Sequence, residues 1–164
     1  RDSSTSRGLG DVYKRQWFKC NMTDVVAALG LIQFERYPEM LAKRKKMIEK
    51  MDAAFADINV AVLEHYGKEH ASSGHLYIVR LLGKTREQTN EVIEKMAERG
   101  IATNVHYKPL PMMTAYKRMG FDIKNFPNAY HMFENEITLP LNTKMTMEDV
   151  NYVIENFADI VKSF

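Results

Sequence analysis

The stretch HLYIVRLLGKTREQTNEVIEKMAERGIATNVH, residues 75–106, decides the fold of this chain. It opens with an apolar run over 75–82 that is rich in β-branched and aromatic side chains and therefore predicts a strand. A helix is predicted over 86–98, and residues 101–106 predict another strand. The stretch is thus a strand–helix–strand unit, which is typical of proteins that pack helices against a sheet.

Both ends of the predicted helix carry residues that start and stop helices. Thr85 and Gln88 stand three positions apart, as in a capping box, where each side chain binds the backbone N–H of the other residue. Gly100 follows the last turn, at the position where glycine readily adopts the left-handed conformation. Val92 and Met96 lie on one face of the helix, which we expect to be buried.

The sequence before this unit predicts two helices and a weak strand. Thr23 followed by Asp24 is a good helix start, because the hydroxyl accepts a free amide proton and the carboxylate suits the positive end of the helix dipole. The helix then runs through VVAALGLIQFERY, which is apolar nearly all round, so we expect it to be buried. Pro38 is expected to kink or end it. The elements that follow are predicted as a helix over 39–57 and a strand over 59–64.

The sequence after residue 106 predicts short elements until a final amphipathic helix. In chain order, these are a helix over 113–119, a helix from Pro127 toward Glu134, a strand over 136–140, and a last helix capped by Thr146 and Asp149. Taken together, the elements predict an α+β fold. We expect a small domain with a three- to four-stranded, mostly antiparallel sheet and helices packed on one face.

Composition and charge exclude several classes of protein. The 164 residues, 45% apolar and 27% charged, fit one soluble globular domain. The net charge of +2 lies within residues 1–16, and the balanced remainder argues against nucleic acid or anionic lipid as a partner. No apolar run is long enough to cross a membrane. The single cysteine, Cys20, fits a reducing compartment, so we expect a cytoplasmic protein.

Residues 1–16, RDSSTSRGLGDVYKRQ, are unlike the rest of the chain. They are rich in serine, glycine and arginine and show neither helical nor strand periodicity. We interpret them as a non-native leader, such as translated adaptor or assembly sequence; the alternative is a flexible native tail, and both predict disorder. The domain is therefore predicted to cover 17–164. The first interpretation implies that the natural chain extends upstream and that this is a fragment.

Polar residues at the start of the first predicted helix form one candidate binding site. Free amide groups and the helix dipole attract phosphate to a helix N-terminus. Lys19 and Asn21 would add donors to such a site. Simple capping of the helix by Thr23 explains the same residues, and the sequence leaves both interpretations open.

The segment Asn104–Pro109, at the end of the second predicted strand, is the other candidate. It holds His106, Tyr107 and Lys108 in a loop that Pro109 and Pro111 stiffen. Such a loop is suited to contact an anionic ligand. A hydrogen-bonded histidine and a packing tyrosine are the structural alternative.

Three histidines at five-residue intervals could suggest a metal site. His65, His70 and His75 straddle a loop and the start of a strand, however, and match no zinc-binding pattern. We therefore predict no metal ligand in this chain. No glycine-rich phosphate loop is present either.

At the two candidate sites the sequence resembles a known family. The segments KCNMTDVVAALGLIQFERYPEMLAKR, HLYIVRL, ERGIATNVHYKPLP and NEITLPLNTKMTMEDVNYVIE are similar, in this order and spacing, to the C-terminal portion of the DegT/DnrJ/EryC1/StrS aminotransferases. The resemblance covers about 17–164. Four ordered segments make it specific, whereas any one of them alone would mean little.

The resemblance implies the small C-terminal domain of a fold-type I, pyridoxal 5′-phosphate (PLP)-dependent homodimer whose active site lies between subunits. Such enzymes transfer an amino group, commonly from glutamate, to a keto group on a nucleotide-linked sugar, in amino-sugar or cell-surface polysaccharide biosynthesis. By this resemblance Asn21, with Lys19 beside it, contacts the PLP phosphate across the dimer. His106 and Tyr107 line the sugar-nucleotide pocket, and Lys108 is a weaker candidate for the diphosphate.

The sequence departs from the family pattern in several places. Many members carry Asn-x-Arg at the helix start, where this chain has Lys19 and Asn21, so either side chain could meet the phosphate. Cys20 replaces a usual aromatic residue, and Pro111 stands where a second histidine is often found. The family's PLP-binding lysine and pyridinium carboxylate belong to an upstream domain, so we expect no catalytic residue here and an inactive fragment.

One alternative of a different class stays open from the sequence. The strand–helix–strand unit over 75–106 could also belong to a stand-alone regulatory module that binds a small ligand. The codons that precede this sequence separate the two readings, because only an aminotransferase would encode a PLP domain there.

Overall fold

A computed structural model describes residues 22–164 of the chain. The elements follow the sequence patterns closely: helices α1 (Asp24–Phe55), α2 (Arg86–Glu98), α3 (Thr114–Arg118), α4 (Pro127–Glu134) and α5 (Met147–Lys162), and strands β1 (Val60–Val62), β2 (Tyr77–Leu81) and β3 (Glu136–Leu139). Short 3-10 turns cover Leu110–Met112 and Ile123–Asn125. By its contacts the chain divides after Pro38, and the unit Glu39–Phe164 contains the whole sheet.

The sheet is antiparallel and has the strand order β1-β2-β3. Tyr77 pairs with Leu139 and Val79 with Ile137, so these side chains share one face of the sheet. All four are buried on that face. The strands therefore place these four apolar side chains on the side that α1, α2 and α5 cover, and Arg80 and Glu136 on the other side.

Three helices supply the other half of the core. The second half of α1 contributes Met47, Ile48, Met51 and Phe55, α2 contributes Val92 and Met96, and α5 contributes Val150, Val153, Phe157 and Ile160. The amphipathic patterns of α2 and α5 are confirmed, as are both predicted capping boxes. This is the α+β arrangement that the sequence predicts.

Helix α1 differs from its prediction in two respects. The two helices predicted on either side of Pro38 form one continuous helix, because a proline removes only one backbone hydrogen bond and the residues that follow are strong helix formers. The first half was expected to be buried, yet its apolar side chains are exposed, with Phe34 at 75% and Val25 at 73%. An apolar helix surface is buried only where other elements pack against it.

The strand predicted over 101–106 is wrong. In this segment only Asn104 forms a β-bridge, to Thr138 on the edge of β3. The next two backbone N–H groups bind side chains instead: that of Val105 donates to Asn104 Oδ1 at 2.8 Å, and that of His106 donates to the Glu136 carboxylate. Side-chain acceptors thus compete with the strand ladder and stop it after one pair.

Candidate functional site

The face of the sheet opposite the core carries a small cavity. Side chains alternate along a strand, so Arg80 on β2 and Glu136 on β3 point away from the apolar core, and they are direct cross-strand partners. The cavity has a volume of about 210 Å³ and its walls come from the sheet, from α4 and from the loop after residue 104. Its lining residues include Ile78, Arg80, His106, Tyr107, Phe133 and Glu136.

His106 is held at this cavity by three contacts to β3. Its backbone N–H donates to both carboxylate oxygens of Glu136, at 3.3 and 3.1 Å. Its ring Nδ1 lies 2.9 Å from Thr138 Oγ1, and that hydroxyl in turn donates to Glu136 Oε1 at 2.7 Å. Glu136 and Thr138 are each only 5% exposed. The histidine therefore has a fixed position, supported by buried polar groups.

His106 also borders a second cavity of about 280 Å³. The walls of this cavity include Asn104 and Thr138 and the segment after β3, from Pro140 to Leu141. His106 is thus a lining residue of both cavities. A larger cavity, of about 380 Å³ beside Lys84 and Phe164, contains none of the predicted site residues.

Tyr107 lies directly beside His106. The two rings meet edge to face with their centroids 4.6 Å apart, and the tyrosine is 69% exposed. A large aromatic side chain that is this exposed is suited to cover a ligand bound in the cavity. Lys108 is exposed and does not line either cavity next to His106.

Arg80 provides the cationic wall of the smaller cavity. Its Nε donates to Asn135 Oδ1 at 2.9 Å, and one terminal nitrogen donates to the backbone carbonyl of His131 at 3.3 Å. The same nitrogen lies 3.2 Å from His131 Nε2, and His131 Nδ1 lies 2.8 Å from Glu134 Oε1. These contacts tie the guanidinium to the C-terminal end of α4 and fix its place beside the cavity.

Arg86, the first residue of α2, fixes the turn from α4 into β3. It donates to the carbonyls of Phe133 at 3.0 Å and Glu136 at 3.2 Å, and it lies over the Phe133 ring. Burial lowers the pKa of the Arg86 guanidinium, and the negative charge of Glu136 opposes that effect. The contact between Arg86 and the turn sets the position of Glu136, and therefore that of His106.

Of these cavity residues, His106 and Tyr107 were predicted as site residues from the sequence, and Arg80 and Glu136 were not. Arg80 had a usable signal, because it is a lone charge inside the apolar run of β2. Glu136 had none, since its role depends on pairing across 30 residues. Lys19 and Asn21 lie outside the described residues, so their proposed role stays a prediction.

The described residues contain no group of three or more histidine, cysteine, aspartate or glutamate side chains placed to hold a metal ion. Of the three histidines considered above, His65 is 2% exposed and stacks on Tyr77 with ring centroids 5.8 Å apart. Within residues 22–164, no helix combines the length and apolar character that a membrane span requires.

A family model described as the DegT/DnrJ/EryC1/StrS aminotransferase family matches residues 5–158 of the sequence. The chain belongs to this family. Among its curated relatives is the spore coat polysaccharide biosynthesis protein SpsC of Bacillus subtilis, 32% identical over 88% of this chain and 38% of that protein. Another is the UDP-4-amino-4,6-dideoxy-N-acetyl-beta-L-altrosamine transaminase of Campylobacter jejuni, 28% identical over 95% of this chain and 43% of that protein.

A solved structure supports the same relationship. Spr1654 from Streptococcus pneumoniae, provisionally assigned as a sugar aminotransferase, is 50% identical and superposes with a TM-score of 0.86. It is known in apo, PMP and PLP forms. The match covers 89% of this chain and 37% of that chain. The chain thus spans about two fifths of the length of the relatives it matches.

Proposed function

We propose that this chain is the C-terminal part of a PLP-dependent aminotransferase that transfers an amino group, with glutamate as donor, to a keto group on a nucleotide-linked sugar. The match to the family model over residues 5–158 carries the proposal. The named activity of the C. jejuni relative, a transaminase of a UDP-linked amino sugar, supports the substrate class. The name of SpsC supports a place in polysaccharide biosynthesis.

The described residues fit a wall of the substrate site and do not fit the covalent anchor of the cofactor. PLP, when bound, withdraws electrons from the reacting carbon, and a desolvated lysine usually carries it. None of the lysines within residues 22–164 is buried. We therefore assign the catalytic lysine to sequence outside this chain and name no catalytic residue here.

The supporting roles divide between two places in the chain. We assign contact with the PLP phosphate, across the interface of a homodimer, to Asn21 with Lys19 beside it. His106 and Tyr107 contact the sugar nucleotide, since they lie together at a cavity with a cationic wall. We assign Lys108, which is exposed on the same loop, to the diphosphate.

The same proposal accounts for the exposed helix. Side chains of the first half of α1, Phe34 among them, are apolar and exposed. We propose that the PLP domain packs against them in the complete enzyme. We assign residues 17–164 to the small domain and residues 1–16 to a leader, into which the match to the family model extends from residue 5. The complete enzyme is placed in the cytoplasm, in line with the single cysteine.

Reduction with borohydride tests the assignment of the lysine. The 164-residue chain is mixed with PLP, treated with borohydride, digested and analysed by mass spectrometry for PLP-modified lysines. We expect only scattered low-level modification, because no lysine of the described part is buried. Stoichiometric labelling of one lysine would show that the chain carries its own cofactor anchor and would refute this part of the proposal.

The division of roles is tested in the complete enzyme, once the upstream coding sequence is determined. Asn21→Ala should weaken PLP retention more than the apparent affinity for the sugar nucleotide, and His106→Ala should do the reverse. Cofactor release is followed by absorbance, and sugar affinity from KM with glutamate held in excess. Equal effects of both variants on both ligands contradict the division. An upstream sequence without a PLP domain contradicts the proposal as a whole.

A further inference from the structure

The contacts of His106 contain information on its protonation. Three groups form a chain of hydrogen bonds: the Glu136 carboxylate, the Thr138 hydroxyl and the ring nitrogen Nδ1 of His106. Its two links measure 2.7 and 2.9 Å. Each group has a limited number of protons to give, so the direction of one link decides the direction of the next.

An ionised carboxylate can only accept hydrogen bonds. Thr138 must therefore donate its single hydroxyl proton to Glu136, and toward His106 the hydroxyl oxygen can only accept. The ring nitrogen that faces it must then carry a proton. We infer that Glu136 and Thr138 hold neutral His106 as the Nδ1–H tautomer, so that Nε2 is a bare acceptor for a ligand.

The surroundings of these three hydrogen-bonded groups make the arrangement persistent. Glu136 and Thr138 are 5% exposed, so water competes poorly for their hydrogen bonds. The backbone N–H of His106 binds the same carboxylate, which fixes the loop and the ring together. Thr138 is also held through its backbone, by reciprocal bonds with Asn104 of 2.7 and 3.1 Å. Glu136 and Thr138 are thus positioning residues for His106.

The tautomer defines the chemistry that His106 recognises, and this step rests on the proposed function. Nε2 accepts no hydrogen bond from any described residue in the structure. As an acceptor it suits a sugar hydroxyl or an N–H group of a nucleobase. It does not suit an ionised phosphate oxygen, which also only accepts. We therefore assign His106 to the sugar or base of the nucleotide sugar and not to its diphosphate.

Nitrogen-15 NMR of the 164-residue chain measures the tautomer directly. Spectra that correlate ring nitrogens with carbon-bound protons are recorded at about pH 8.5, where imidazole is ordinarily neutral, and His106→Gln assigns the signal. We expect a protonated Nδ1 and a bare Nε2 in the unmodified chain. A protonated Nε2 would overturn the inference, whatever the enzyme's substrate is.

Variants test whether the Thr138 hydroxyl itself, and not the fold in general, sets the tautomer of His106. Thr138→Val removes the hydroxyl and should release the Nδ1–H preference, whereas Thr138→Ser keeps a hydroxyl and should retain it. Thr103→Val is the matched control, because it removes a buried hydroxyl in the same loop that has no partner among the described residues. If Thr138→Val does not fold, Glu136→Gln replaces it, since an amide can donate to Thr138 and so shift the proton. An unchanged tautomer in the folded variant refutes the inference.

The role in recognition needs a separate measurement in the complete enzyme. Thr138→Val should raise KM for the sugar nucleotide about three- to tenfold, the cost of one misoriented hydrogen bond, with kcat nearly unchanged. Thr138→Ser should restore KM. If the NMR result holds but His106→Gln leaves KM unchanged, the assignment of the sugar site fails while the tautomer stands.

Discussion

The hydrogen bond between Tyr77 and Asp52 links the centre of the sheet to helix α1. Tyr77 is fully buried, and its hydroxyl donates to Asp52 Oδ1 at 2.7 Å. Burial, followed by this hydrogen bond and the charge of Asp52, raises the pKa of Tyr77 far above its ordinary value. The phenol is therefore a permanent donor at any pH at which the protein is studied.

Replacing Tyr77 with phenylalanine keeps the ring and removes only this donor. A hydrogen bond to a charged group contributes about 1.5–3 kcal/mol. Asp52 is half-buried, so water replaces part of the lost interaction. We expect a loss of about 1.5 kcal/mol in the free energy of unfolding, which corresponds to a fall in Tm of about 3–6 °C for a domain of this size.

Urea unfolding of the 164-residue chain, followed by circular dichroism, measures this loss. Tyr152→Phe is the matched control, since Tyr152 is 51% exposed and its hydroxyl donates to the carbonyl of Arg99 at 3.0 Å. That substitution should cost less than about 0.5 kcal/mol. If the two variants lose equal stability, the buried hydrogen bond to Asp52 contributes no more to the free energy of unfolding than an exposed one, which contradicts the prediction.

Two further predictions concern the same core. Burial lowers the pKa of His65 below 6.5, with Asp52 acting in the opposite direction; the unfolded chain therefore binds more protons between the two pKa values, and stability should fall as pH decreases below about 6.5. Urea midpoints measured from pH 7.5 to 5 should show this fall in stability, and His65→Phe should reduce it. If both proteins lose stability equally as the pH decreases, groups other than His65 cause the pH dependence. Phe157→Ala removes a fully buried ring that meets Phe55 edge to face at 5.2 Å, and should cost about 3–5 kcal/mol in chemical denaturation. A loss below about 1 kcal/mol would show that α5 contributes little to the core.

Elements with local signals were predictable from the sequence. Helix α2 begins and ends where Thr85, Gln88 and Gly100 indicate, because capping and the left-handed turn depend on neighbours in the sequence. The structure of the segment 101–106 was not predictable from the sequence, since the N–H of His106 binds a carboxylate 30 residues away. The pattern of residues before that position gave no sign of this competition.

The candidate site shows the same division between local and distant information. His106 and Tyr107 are adjacent in the sequence, and the resemblance to the family points to them directly. The residues that position them lie on other elements: Arg86 begins α2, and Glu136 and Thr138 belong to β3. The register of β2 against β3 places Arg80 opposite Glu136 at the smaller cavity, and register is not readable from one short strand alone.

Glu136 serves the framework and the site through different atoms. Its backbone carbonyl accepts from Arg86 of α2, and its side chain accepts from His106 and Thr138. A substitution of the Glu136 side chain therefore leaves the hydrogen bond from Arg86 to its backbone in place. Loss of Arg86, in contrast, disturbs both the backbone at position 136 and the side-chain contacts with His106 and Thr138. For protein engineering, position 136 therefore offers a way to change how His106 is held while the contact from Arg86 to the backbone is kept.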